Sequence, residues 1–257
     1  MKISQVAVQL YTLRDFCQTA EALADTARKV RAIGYESVQV SGIGPIAPAE
    51  VRGIFEAAGL TICATHESGE VLRKDVGKAI ENLRAYGATL TAYPYPAGVD
   101  FSSAADVDSL ISDLDRSGAV MREAGLRLGY HNHGTEFAKA GASTLMDLIR
   151  ERTAPENLFF ELDTYWVQYG GCNPVDWIRK VHGRLPAIHM KDYGFSSTTN
   201  QPVFAEIGSG NLDFPAIVRA AEDAGCQWFI VEQDSCPGDP FESIRKSFDY
   251  IAAELIS

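Results

Sequence analysis

Short apolar segments alternate with longer segments of helical period from one end of this 257-residue chain to the other. The predicted strands cover residues 3–9, 36–40, 60–65, 88–93, 126–131, 158–163, 185–190 and 227–232. Their apolar residues run almost without interruption, which is typical of parallel strands covered on both faces. Because parallel strands need a long connection, usually a helix, the alternation predicts an α/β protein built on a parallel sheet.

The segments between the strands carry the signals of helices. The clearest predicted helices cover residues 19–32, 47–58, 73–86, 104–124 and 212–224. Glycines follow helix ends, where a left-handed C-cap is favoured, and polar residues precede two of the helices as predicted N-caps. The glycines are Gly34, Gly59, Gly87, Gly125 and Gly225, and the predicted N-caps are Ser102, Ser103 and Asp213.

Eight strands with connecting helices in about 250 residues predict a single (β/α)₈ TIM barrel, one domain over residues 1–257. A doubly wound open sheet is the alternative. That fold usually has a glycine-rich phosphate-binding turn after its first strand, whereas residues 9–15 contain no glycine. The barrel is therefore favoured.

Composition excludes several classes of function. The net charge of −11 disfavours a nucleic-acid partner, which needs clustered Lys and Arg. No apolar run reaches the about 18–20 residues that a membrane span needs, and the N-terminal segment does not resemble a signal peptide. Five cysteines, an odd number, argue against a disulfide framework. These features predict a cytoplasmic protein with no membrane partner.

Four of the predicted strands end in side chains that bind divalent metals. They are His131, Asp163, His189 and Glu232, separated by 32, 26 and 43 residues. In a (β/α)₈ barrel the C-terminal ends of the strands converge on the active site. Two imidazoles and two carboxylates suit one divalent ion, Mn²⁺, Co²⁺, Mg²⁺ or Zn²⁺. For each residue alone a structural role is the alternative, such as an N-cap for Asp163.

Residues beside these ligands are candidates for contact with a substrate. His133 shares a strand face with His131, and Lys191 shares one with His189. Lys191 is expected to bind a substrate oxygen or stabilise an oxyanion, and a salt bridge is its alternative role. Glu232 is also a candidate base that removes a proton beside a carbonyl. Residues 192–211, an irregular stretch after the seventh strand, are predicted to form a partial lid.

Several segments resemble the xylose isomerase-like barrel superfamily, a sugar isomerase/epimerase group that includes inosose dehydratase, ketose 3-epimerase and hydroxypyruvate isomerase. They are residues 8–14 (VQLYTLR), 33–39 (IGYESVQ), 130–134 (YHNHG), 162–165 (LDTY), 188–192 (IHMKD), 207–213 (IGSGNLD) and 230–232 (IVE). The resemblance implies one divalent ion bound by Glu, Asp, His and Glu from strands five to eight.

Asp163, His189 and Glu232 match that ligand set, but His131 stands where relatives have the first glutamate. In the epimerases the two ligand glutamates are also the acid–base pair, so here Glu232 or His131 would move the proton. Glu136 is an alternative source of the missing carboxylate. The His-x-His form of His131 and His133 is closer to the inosose dehydratase branch.

The resemblance also places His66 and Glu67 at the family's substrate-binding position, with His133, Glu136 and Lys191 as further contacts. Exposed aromatics are predicted to pack between helices, with a pocket rim or a homo-oligomer interface as alternatives. They include Trp166, Tyr169 and Trp177.

The leading hypothesis is a metal-dependent isomerase or epimerase that acts on a small sugar or keto-sugar through an enediolate. An inosose dehydratase-type lyase acting on a keto-polyol is the first alternative. A non-catalytic sugar-binding barrel is the second, and the acidic composition disfavours a metal-dependent endonuclease for damaged DNA.

Overall fold

Eight parallel strands close into a barrel in the computed structural model, which describes residues 1–256. The barrel strands, numbered in chain order, are β1 (Val6–Gln9), β2 (Ser37–Val40), β3 (Thr61–His66), β4 (Leu90–Tyr93), β5 (Arg127–His131), β6 (Leu158–Asp163), β7 (Ala187–Met190) and β8 (Trp228–Val231). Each strand pairs with the next, and β8 pairs with β1 through Ala7 and Ile230. The predicted (β/α)₈ barrel is confirmed, because an open sheet would leave two unpaired edge strands.

Ten helices surround the barrel within the described residues. They are α1 (Ala20–Ile33), α2 (Pro48–Ala57), α3 (Gly69–Lys74), α4 (Val76–Tyr86), α5 (Ala104–Glu123), α6 (Leu145–Arg152), α7 (Thr164–Tyr169), α8 (Pro174–Lys180), α9 (Phe214–Asp223) and α10 (Pro240–Glu254). The side chains of Ser103 and Asp213 cap α5 and α9 as predicted. Ser102 is not a cap, because its hydroxyl donates to Asp100 instead.

Two predicted elements differ from the structure. The first strand begins at Val6, because residues Ile3–Gln5 form a 3₁₀ turn. The predicted helix over residues 73–86 is two helices, interrupted at Asp75, whose φ of −142° and ψ of 64° are not helical. Asp75 begins the second of them, α4, by accepting a hydrogen bond from the Lys78 N–H.

Residues 192–211 contain regular structure that the sequence pattern did not predict. Asp192–Ser196 and Gln201–Ala205 form an antiparallel hairpin after β7. Phe204 of this hairpin packs against Tyr165 of α7, with ring centroids 4.2 Å apart. The hairpin strands are short, and their polar residues and glycine hide the alternation that marks longer strands.

The part of the barrel interior that lies away from the mouth is apolar. It contains Ala7, Cys63, Ala64, Leu90, Phe159, Ala187 and Ile230. A larger apolar layer lies between the barrel and the helices. We call the first cluster the apolar base, because the polar side chains of the barrel interior lie above it, toward the mouth.

No helix within residues 1–256 combines the length and the apolar character needed to cross a bilayer. All five cysteines are free, and Cys17, Cys63 and Cys226 are buried.

Candidate functional site

Side chains inside the barrel lie on successive levels, because strand residues two apart share a face. On β6 and its C-terminal end the levels are Phe159, Glu161 and Asp163. The same spacing gives Ala187, His189 and Lys191 along β7 and just past its end, and Ile230, Glu232 and Asp234 along β8 and just past its end. A polar middle level and a polar mouth level therefore stand on the apolar base.

The four predicted ligands converge near the mouth. His131, Asp163, His189 and Glu232 are buried and each offers a ligand atom within 4.8 Å of the others. Asp163 also caps α7, since its Oδ1 accepts the Trp166 N–H at 2.9 Å, while its Oδ2 lies 2.9 Å from the Lys191 ammonium. The N-cap role considered for Asp163 is therefore present, and its second oxygen faces a cation, the Lys191 ammonium. We call these four residues the mouth group.

Lys191 supplies a fixed cation beside the mouth group. Its Nζ lies 2.9 Å from Asp163 Oδ2, 2.8 Å from Glu232 Oε2 and 2.7 Å from Asp234 Oδ1. Burial lowers the pKa of Lys191, but the three carboxylates outweigh burial and raise it well above its usual value. Burial raises the pKa of Asp163 to about 6, although Lys191 opposes the shift. The salt bridge considered for Lys191 is present, and Asp234 was not predicted.

Glu161 forms the centre of a second, deeper group that sequence reasoning missed. Its Oε1 accepts a hydrogen bond from Gln39 Nε2 at 2.6 Å, and its Oε2 lies 2.5 Å from His66 Nε2. The same Oε2 lies 3.2 Å from His189 Nε2 and 3.6 Å from His131 Nδ1. We call His66, His131, Glu161 and His189 the inner group, whose ligand atoms also lie within 4.8 Å of one another. Its sequence signal is the two-residue spacing between Glu161 and Asp163.

Glu161 is ionised despite its burial. Burial alone would raise its pKa, but His189 and His66 hold the pKa well below its usual value. The interior of the barrel thus contains a buried negative charge that is compensated mainly by imidazole groups.

His189 belongs to both groups. Its Nδ1 lies 2.8 Å from Glu232 Oε2 at the mouth, and its Nε2 lies 2.7 Å from Gln39 Oε1 below. Burial lowers the pKa of His189, but Glu161 and Glu232 raise it to about 10. In this arrangement the ring is an imidazolium that bridges two carboxylates.

His131 and His133 are neutral at neutral pH. Burial is the main cause that lowers the pKa of His131 well below its usual value, and His189 adds to it. Burial, assisted by Lys191, lowers the pKa of His133 to about 4. The Nδ1 atoms of both rings are buried without a hydrogen-bond partner. Both rings can therefore offer a nitrogen lone pair to an incoming ligand.

A cavity of about 330 Å³ opens above these groups. Its lining residues are Tyr11, Ser41, His66, Pro94, Tyr95, His131, His133, Lys191, Glu232 and Asp234. The structure thus places the predicted contacts His66, His133 and Lys191 on one cavity, together with both candidate proton carriers.

Two predicted contacts turn away from this cavity. Glu67 accepts a hydrogen bond from Asn82 Nδ2 at 3.1 Å. Glu136 accepts one from the Tyr130 hydroxyl at 2.8 Å and another from the His133 N–H at 2.9 Å. Because both oxygens of Glu136 are already engaged, it does not replace the missing carboxylate of the mouth group.

The aromatic residues near the mouth differ in exposure. Trp177 is buried against Phe137, so its predicted exposure is wrong and its predicted helix packing is right. Trp166 is half-buried beside His133, with ring centroids 5.5 Å apart. Tyr169 is 53% exposed and packs edge-on against Trp166, with ring centroids 5.3 Å apart.

Comparison with known proteins finds inosose dehydratases among the sequence relatives. An inosose dehydratase from Geobacillus thermodenitrificans is 30% identical over 161 residues, which are 56% of this chain and 53% of the relative. One from Lacticaseibacillus casei is 27% identical over 164 residues, 58% of this chain and 54% of the relative. The chain thus matches about half the length of these two. An inosose dehydratase from Salmonella agona is 26% identical over 259 residues, 85% of this chain and 84% of the relative.

Solved structures share the fold over nearly the whole chain. A sugar phosphate isomerase/epimerase from Parabacteroides distasonis superposes with a TM-score of 0.81 at 21% identity, covering 97% of this chain and 98% of that one. A xylose isomerase-like TIM barrel protein from Mycobacterium smegmatis, in complex with magnesium, has a TM-score of 0.74 at 16% identity, covering 97% and 95%. At such identities the likeness concerns the fold.

A family model described as the xylose isomerase-like TIM barrel matches residues 27–254 of this chain. The match covers most of the barrel and includes all the residues of the mouth and inner groups. It confirms the resemblance, whose segments from residue 33 onwards lie within the match, and the chain belongs to the xylose isomerase-like TIM barrel family.

Proposed function

We propose that this protein is a divalent-metal-dependent isomerase or epimerase that acts on a small sugar or keto-sugar through an enediolate-type intermediate. One observation carries the proposal. The carboxylate of Glu232, a member of the mouth group, and the ammonium of Lys191 lie 2.8 Å apart and line the same cavity. The cavity of about 330 Å³ suits a small molecule. The net charge of −11 supports a small-molecule partner over a nucleic acid.

The mouth group fits a divalent ion. His131, Asp163, His189 and Glu232 would hold it, since they are buried and their ligand atoms lie within 4.8 Å of one another. The two nitrogen and two oxygen donors suit several borderline or hard divalent ions. When bound, such an ion supplies positive charge that stabilises the oxygens of an enediolate.

Glu232 is the proposed base. Burial alone would raise its pKa, but Lys191 and His189 hold that pKa well below its usual value. The carboxylate is therefore unprotonated at neutral pH and can accept a proton from the carbon beside a carbonyl.

Lys191 and His133 are the proposed substrate contacts. The Lys191 ammonium lines the cavity, and its positive charge can stabilise an oxygen that gains negative charge. His133 is neutral, and its Nδ1 has no partner, so the ring can orient a substrate hydroxyl.

An inosose dehydratase-type lyase is the second candidate. The relatives named inosose dehydratase favour it, and so does His131 at the position of the first glutamate. Both candidates begin with removal of the same kind of proton. They differ in the next step, which either returns the proton or expels a neighbouring hydroxyl.

Incubation in D₂O tests the proposal. The full-length protein is loaded separately with Mn²⁺, Co²⁺, Mg²⁺ or Zn²⁺ and mixed with pentuloses, hexuloses and keto-inositols. Deuterium at the carbon beside the carbonyl, followed by a new epimer or isomer, supports the leading proposal, while loss of water indicates the lyase. Glu232→Gln is expected to slow exchange by about 10²–10⁴-fold, the usual effect of losing a general base.

Glu21→Gln is the matched control, because Glu21 is exposed on α1. It should exchange deuterium at the wild-type rate. If the wild type binds sugars yet exchanges no deuterium with any of the ions, the enzyme proposal is wrong and a sugar-binding barrel replaces it.

A further inference from the structure

The inner group has the composition and convergence of a metal site of its own. Its ligands come from β3, β5, β6 and β7, so the barrel itself sets their separation. The nitrogens of His66, His189 and His131 surround one oxygen, Glu161 Oε2, at 2.5, 3.2 and 3.6 Å. Three imidazoles and one carboxylate thus meet one level below the oxygens of Asp163.

One atom of the inner group lacks a partner. His131 Nδ1 is buried and makes no hydrogen bond, and its 3.6 Å separation from Glu161 Oε2 is too long for one. A buried polar atom left in this way costs about 1–3 kcal/mol. A metal ligated by this nitrogen would remove that cost.

The separations are close to those of a zinc site. Zinc bonds of about 2.0–2.1 Å in tetrahedral geometry hold ligand atoms about 3.3–3.4 Å apart. The three separations from Glu161 Oε2, 2.5, 3.2 and 3.6 Å, lie on both sides of that value. All four ligand atoms lie within 4.8 Å of one another, and His66 is the least buried of the four side chains and so the one with most room to adjust.

We infer that the inner group is a zinc position, with His66 Nε2, His131 Nδ1, His189 Nε2 and Glu161 Oε2 as ligands, and that its occupancy excludes an ion from the mouth group. Zinc is the favoured ion because nitrogen-rich sites suit it, whereas Mg²⁺ requires mainly oxygen ligands. An ion can reach the group, because His66 and His131 line the open cavity.

The exclusion follows from His189. A neutral imidazole has one nitrogen lone pair, since its other nitrogen carries the proton. His189 can therefore present Nδ1 to the mouth group or Nε2 to the inner group, but not both. His131, the other shared ligand, meets the same restriction.

An ion in the inner group and an ion in the mouth group displace different contacts. Zinc in the inner group displaces the hydrogen bond between His189 Nε2 and Gln39 Oε1, while Gln9 Nε2 continues to donate to Gln39 at 2.9 Å. An ion in the mouth group keeps that bond but competes with Lys191 for Asp163 Oδ2 and Glu232 Oε2. Inner binding therefore leaves the three ion pairs of Lys191 in place.

The inference has a consequence for activity that rests on the proposed function. If a harder ion at the mouth supports catalysis, zinc in the inner group removes two ligands from it and inhibits the enzyme. The zinc position itself is independent of any activity, so its test uses binding and diffraction alone.

Calorimetric titration of the chelator-treated full chain with Zn²⁺ and with Mn²⁺ tests the position. Zinc affinity is expected to fall at least about tenfold in His66→Gln and in Glu161→Gln, a loss in the range caused by damaged metal sites. Asp163→Asn is expected to weaken Mn²⁺ binding while zinc affinity stays within about threefold. His182→Gln is the matched control, because His182 is exposed, and it should bind zinc as the wild type does.

Anomalous diffraction from zinc-soaked wild-type crystals locates the ion without any substitution. A peak bonded to His66 and Glu161 supports the inference. A peak bonded to Asp163 and Glu232, or unchanged zinc affinity in a folded His66→Gln protein, overturns it. Neither result bears on whether the protein exchanges substrate protons.

Discussion

His189 shows how one residue can link two levels of a barrel. It is fully buried, and its two ring nitrogens contact Glu232 above and Gln39 below. A carboxylate on each side raises its pKa to about 10 against the effect of burial. The positive charge that the ring then carries is one that a divalent ion in either group would replace, since metal ligands bind as neutral imidazoles.

His133 leads to a prediction about acid stability. Burial lowers its pKa to about 4, whereas an unfolded histidine has a pKa near 6.5. As the pH falls below about 6.5, this histidine becomes protonated in the unfolded chain, but in the folded protein it stays neutral until about pH 4. Folding stability is therefore lost between about pH 6.5 and pH 4. The loss from this residue is at most about 3 kcal/mol.

Urea unfolding of the wild type and His133→Gln between pH 7 and pH 4 measures this effect. The variant is expected to lose less stability on acidification. His182→Gln replaces an exposed histidine and should keep the wild-type pH dependence. Equal slopes in the wild type and His133→Gln would contradict the assigned pKa.

At the scale of elements, one side chain ties the loop that follows the hairpin back to the start of the hairpin. Asp192 Oδ1 accepts the N–H groups of Tyr193 and Leu212, and its Oδ2 accepts those of Gly208 and Gly210. Four backbone donors converge on this carboxylate. The loop that follows the hairpin is thereby fixed near the mouth, next to the end of β7.

Asp192→Asn is expected to destabilise the protein by about 1–3 kcal/mol, because an amide nitrogen would face backbone N–H groups that lose their acceptor. Thermal or urea unfolding measures the change. Asp213→Asn is the matched control, since Asn caps a helix about as well as Asp and Asp213 caps α9. Equal losses in both variants would show that Asp192 has no special role.

At the scale of the whole molecule, the polar levels depend on the apolar base of the barrel. Phe159 occupies that base, two residues below Glu161 on β6. Gly129 on the neighbouring strand leaves room for its ring, since a Cβ there would lie 2.2 Å from Phe159 Cε2. The position of Glu161 thus depends on a small residue on another strand.

Gly129→Ala is expected to cost about 1–3 kcal/mol, the usual effect of overpacking a core. Gly53→Ala in α2 is the matched control, because no atom lies within 4 Å of its added Cβ. That substitution should stabilise by about 0.5–1 kcal/mol. Urea unfolding compares the two, and a neutral Gly129→Ala would show that the base can shift.

The strands and the residues of the mouth group were predictable because their signals are local. Asp163 and His189 each lie at or near the end of an apolar run, and parallel strands bring such ends together. Glu161 was missed because its partners, His66 and Gln39, are 95 and 122 residues away in the chain. The hairpin over residues 192–205 was missed because its strands are stabilised by pairing rather than by an apolar pattern.

Local pattern determines the alternation of strands and helices, the direction of each strand and the four residues at the mouth. Those properties depend on neighbours within a few positions, where side-chain period and capping act. Closure of the barrel decides which side chains meet across its interior: the ion pairs of Lys191 with three carboxylates, the contacts of Glu161 with three histidines, and the two-sided contacts of His189. These distances depend on the register of strands far apart in the chain, and charge and burial act only once that register exists.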